Sequence, residues 1–88
     1  MNIRESWEYT IGNLAKAFSL INESDRNKNY SEICLYEEYV EHNELELAIN
    51  ALEAIKLTTM NREYNEWLAK AYENIGLLSD AMRLRKKM

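Results

Sequence analysis

Apolar positions along the chain recur with a helical period, and no stretch shows the two-residue alternation of Val, Ile and Thr that marks a strand. At the start, Ile3, Trp7, Ile11, Leu14, Phe18 and Ile21 step by four, four, three, four and three, which predicts one helix with all six on a single face. From Asn22 to Lys28 the period is lost, and with Ser24, Asp25 and Asn27 the run reads as a loop. Asn29 followed by Glu32 has the spacing of a capping box, so a second helix is expected from about Tyr30. It carries Ile33, Tyr36 and Val40 on one side, with Leu35 and Tyr39 adjacent, and turns near His42 and Asn43, where asparagine tolerates a left-handed cap. A third helix runs from about Glu44 to Ile55 through Leu45, Ala48, Ile49 and Leu52, and Thr58 and Thr59 follow it. Tyr64, Trp67, Leu68, Ala71, Tyr72 and Ile75 form the stripe of a fourth helix, stopped by Gly76. A short fifth helix spans about Leu78 to Lys87 and ends in cations, the sign that suits a helix C-terminus. The expected fold is all-α: one domain, residues 1–88, of about five helices, an N-terminal helix followed by two stacked helical hairpins.

An offset of 33 residues relates the hairpins: Leu35 matches Leu68, Tyr39 matches Tyr72, Asn43 falls on Gly76, Leu45 on Leu78 and Ala48 on Ala81. The segment from Leu68 to Tyr72, with Gly76, Leu78 and Ala81, resembles a tetratricopeptide hairpin, in which small residues let two helices approach closely. The resemblance implies an adaptor that holds a peptide or helix of a partner protein between hairpins. Arg85 departs from it, standing where that family has a bulky apolar residue, and there is no third repeat.

Composition narrows the function. Eighty-eight residues limit the size of any core, and Trp7, Phe18, Trp67 and Tyr72 are expected inside it, while Tyr9, Tyr30 and Tyr64 are less clearly inward. Uncharged stretches are far shorter than the roughly 20 residues that span a bilayer, and Met1 to Glu8 does not read as a signal peptide, so no membrane partner and a cytoplasmic location are expected. Cys34 is the single cysteine, expected buried as a small hydrophobe. No phosphate loop, paired-histidine helix, Ser/His/Asp set or cysteine cluster is found, so neither an enzyme nor a cofactor or metal is expected. Glu38 and His42, four apart, are the one pair with a spacing for metal or acid/base work, and a helix end with a solvated partner accounts for them.

Charge is unevenly placed. Residues 29–55 hold Glu32, Glu37, Glu38, Glu41, Glu44, Glu46 and Glu53 without one Lys or Arg, whereas residues 56–88 carry seven basic against four acidic side chains. Such a face repels phosphates, so nucleic acid is not an expected partner, and Arg83, Arg85, Lys86 and Lys87 read as a helix end. An acidic surface with tyrosines suits a basic protein instead. The open end of a short helical stack also suggests a homodimer.

The run from Tyr36 to Glu53 resembles the central helix-turn-helix of small helical immunity proteins of bacterial contact-dependent growth inhibition and polymorphic toxin systems. His42, Asn43 and Glu44 match the turn, Leu45, Ala48 and Leu52 the next helix, and Trp67 with Leu68 the one after. The resemblance covers about half of the chain. It implies an inhibitor of a cognate toxin, often a nuclease, in which Glu37, Glu38, Glu41, Glu44 and Glu46 supply charge and Tyr36 and Tyr39 are anchors if they face solvent. The repeat alignment instead places Tyr39 inside.

Overall fold

The computed structural model describes residues 3–59 and 61–87, with side chains from residue 7 onward. Six helices occur among the described residues, and no strand: α1 (Ile3–Ser19), α2 (Glu23–Lys28), α3 (Tyr30–Glu41), α4 (Leu45–Ala54), α5 (Arg62–Asn74) and α6 (Leu78–Lys86). The all-α architecture stands as expected, with one helix more.

That additional helix is α2, in the run read as a loop. Six residues without apolar periodicity leave no sequence stripe, and tertiary partners hold them instead. Asn22 caps the helix, its side chain accepting from the Asp25 N–H at 2.8 Å. Asp25 is buried, and its carboxylate accepts the N–H and the hydroxyl of Thr58 from the α4–α5 connection. Asn29 reinforces this clamp: Nδ2 donates to the carbonyls of Asp25 (2.8 Å) and Lys56 (3.3 Å), and Oδ1 accepts from the Lys56 N–H at 3.2 Å. The side chain is thereby committed, so Asn29 makes no cap hydrogen bond to α3 and the expected capping box does not form.

α1 packs most extensively along α5. The α1 residues that become buried are Thr10, Leu14, Ala17 and Ile21, a stripe rotated from the predicted one. Ile11 and Phe18 are half-buried on its flank, and Trp7, expected in the core, is 40% exposed. Small residues accompany the rotation: Ala17 on α1 is fully buried, as is Ala71, one turn from the Trp67 that Lys16 of α1 covers, and helices meet most closely where side chains are small. The Ile3 side chain lies outside the described residues. Tyr72 is buried and Trp67 half-buried, with the ammonium groups of Lys16 and Lys70 each 4.5 Å from its ring centroid.

The two hairpins, α3–α4 and α5–α6, repeat at the expected offset in backbone detail. Asn43 (φ 57°) and Gly76 (φ 83°) both occupy the left-handed region. The Glu44 N–H donates to Tyr39 O at 2.8 Å and the Leu77 N–H to Tyr72 O at 2.9 Å; Ala48 bonds Glu44 O and Ala81 bonds Leu77 O. Ala48 and Ala81 are both buried, letting the arms of each hairpin close. Between hairpins, the hydroxyl of Tyr64 donates to Leu52 O, and that of Tyr72 lies 2.7 Å from both Asn50 Oδ1 and Glu53 Oε1. Arg83 grips the same Glu53 carboxylate, and Arg85 bridges Glu66 and Glu73 of α5.

Candidate functional site

α3 presents two flanks, because its buried line, Ile33 and Tyr36 with Val40 half-buried, is narrow. On one flank Tyr30, Cys34, Glu37 and Glu41 follow at spacings of four, three and four, all exposed. Cys34 is therefore a surface thiol, contrary to the expectation of burial. Tyr30 is 70% exposed, and its hydroxyl titrates above the usual tyrosine range because it interacts with Cys34.

Facing that flank is the side of α1 that α5 leaves uncovered. Phe18 stacks on Tyr36 at 5.5 Å between centroids, and the Arg26 guanidinium sits 4.4 Å from the Phe18 centroid while its Nη2 donates to Phe18 O at 3.1 Å. Beside this stack α1 and α3 diverge into an open groove of about 410 Å³ lined by Ala15, Phe18, Tyr36, Glu37, Val40 and Glu41. Its floor is apolar, and its α3 rim carries two carboxylates one helical turn apart.

All five glutamates singled out in the sequence, Glu37, Glu38, Glu41, Glu44 and Glu46, are exposed, and none forms an ion pair among the described residues. Glu53, from the same acidic run, faces the other way. Arg83 holds its carboxyl below the usual range. The two tyrosines do not protrude. Tyr36 is buried and forms groove floor, its hydroxyl pushed up by burial and then by the Glu37 charge, so it stays protonated. Tyr39 is half-buried against the core, where its repeat partner Tyr72 also lies, so neither is a projecting anchor. Ala15, Phe18 and Val40 were not legible as site residues. The available signal was that α1 has more large apolar residues than one neighbouring helix can cover.

Comparison with protein-family models, curated proteins and solved structures gives no match to this chain. Function is read from the groove itself.

Among the described residues no group of three or more His, Cys, Asp and Glu side chains is placed to hold a metal ion, and His42, exposed, ends α3 with its N–H on Glu38 O at 3.1 Å. No described helix is long and apolar enough to cross a membrane. At the basic end, Arg83 is engaged by Glu53 and Asp80 and Arg85 by Glu66 and Glu73, while Lys87 lies 4.0 Å from Glu53. Three of the four basic side chains thus have a carboxylate partner within the fold, and Lys86 has none among the described residues.

Proposed function

We propose that this protein is an immunity protein that binds and neutralises a cognate toxin domain, a basic nuclease, through the acidic groove between α1 and α3. The observation that carries this reading is the pairing of an apolar groove with exposed glutamates that have no cation partner among the described residues. A nuclease must concentrate positive charge where it grips phosphates, and an acidic protein that covers that surface competes directly with its substrate. Glu37 and Glu41 meet basic side chains at the groove rim, and Glu38, Glu44 and Glu46 extend the field that steers approach. Phe18, Tyr36 and Val40 then accept an apolar side chain of the partner, which slows dissociation.

The adaptor reading draws support from a different observation, the backbone repeat of the two hairpin turns. The two separate in binding mode. An immunity protein forms a tight one-to-one complex, whereas an adaptor takes short peptides from several proteins at micromolar strength. The test is capture of partners by the tagged protein from its native lysate, followed by titration of the purified partner. One basic domain, bound one to one, blocked in nuclease activity and held at least tenfold more weakly by Glu37→Lys/Glu41→Lys, is the expected result. Capture of several unrelated proteins, indifferent to the charge reversal and to salt, overturns it in favour of the adaptor.

A further inference from the structure

The 33-residue repeat makes it possible to compare each buried position of the inter-hairpin interface with its equivalent at the two ends of the stack. On α4, which packs against both α5 and α1, Leu45 (5% exposed) and Ile49 (0%) are buried; their equivalents on α6 are Leu78 and Met82, each 59% exposed. On the other side of that interface Leu68 is fully buried, and its equivalent on α3, Leu35, is 43% exposed. Tyr72, buried, corresponds to half-buried Tyr39, and Tyr64 to exposed Ser31. Each end of the stack thus shows one uncovered half of an interface that the chain builds once inside itself.

We propose that a second copy of this chain covers them, α3 of one molecule stacking on α6 of the next as α5 stacks on α4. Charge supports this occupant. Lys86 stands at the position of Glu53, is exposed and has no ion pair among the described residues, while Leu35 is flanked three residues away on either side by Glu32 and Glu38. The docking cannot occur within one molecule, since Ala81 and Leu84 bury the opposite side of α6 and Arg83 is fixed to Glu53. Two different surfaces meet, so the contact is head to tail and growth does not stop at two. A nine-residue helix offers less than the roughly 1,200 Å² buried in stable interfaces, so association belongs at micromolar strength or weaker. The groove between α1 and α3 is not used, and the inference is independent of the partner proposed above.

Sedimentation and light scattering of the free protein from 10 µM to 1 mM at low salt provide the test. The mean mass is expected to rise steadily past two copies, and Leu35→Asp and Met82→Asp, both surface changes that leave the helical circular dichroism intact, each keep the protein monomeric. Mixed in equal amounts, the two variants form a heterodimer that stops at two, because one retains α6 and the other α3. Glu37→Lys/Glu41→Lys assembles like the parent. A monomer at every concentration, a parent that halts at a dimer, no complementation on mixing, or loss of assembly in the groove variant overturns the proposal.

Discussion

Gly12 and Gly76 show how position decides what a residue is worth. Gly12 lies inside α1, and a Cβ built there meets nothing within 4 Å, so its hydrogen only adds freedom to the unfolded chain. Gly12→Ala is expected to stabilise by about 0.5–1 kcal/mol. Gly76 has equally open space but a φ of +83°, so Gly76→Ala is expected to cost about 1–2 kcal/mol through the backbone alone. Chemical denaturation of both variants checks the opposite signs. Asp25 gives a pH-dependent counterpart. The hydroxyl and N–H of Thr58 hold its carboxyl below the usual range, so its contribution is complete above the unfolded value of about 3.9 and is lost as pH falls through the lower folded one. Thermal melts from pH 7 to 2.5 are expected to show Asp25→Asn destabilised at neutral pH with a shallower decline below pH 4; an unchanged slope would remove Asp25 from that role.

Among the elements, α3 is the least self-consistent. Glu37 and Glu41 repel one turn apart, and Glu41 occupies a C-terminal turn that contains no cation. Glu41→Lys turns the repulsion into an attraction and suits the helix dipole, so it is expected to stabilise the fold by about 1 kcal/mol while weakening capture of a basic partner. Denaturation midpoints and partner titration on the same variant check both signs, and a loss of stability would mean that Glu41 has a structural partner. α2 shows the reverse case, an element with no strength of its own that is held by Asp25 and Asn29 across to Thr58 and Lys56.

For the whole molecule, the α1–α5 contact decides where the groove lies. Ala17 is fully buried there, and Ala17→Leu is expected to cost about 1–3 kcal/mol by forcing the helices apart. Because Lys16 and Lys70 both sit over Trp67, the same variant is expected to shift tryptophan emission before global unfolding in a urea titration. The change would also move Ala15 and Phe18 relative to Tyr36 and Val40, and with them the groove.

Local features could be read directly from the residues: five of the six helices, their ends to within a few residues, and the turns at Asn43 and Gly76, because a 3.6-residue stripe and a left-handed cap are written within a few neighbouring positions. The segregation of glutamates into residues 29–55 was equally plain. Packing between distant segments settles the rest: which side of α1 is buried, that Asp25 finds Thr58 33 residues away, that Tyr36 lies under the acidic rim rather than on it, and that Glu53 leaves the acidic face for Arg83. Each of these depends on how helices distant in the sequence pack, and small buried residues such as Ala17 on α1 and Ala71 on α5 permit a close approach that no local periodicity encodes.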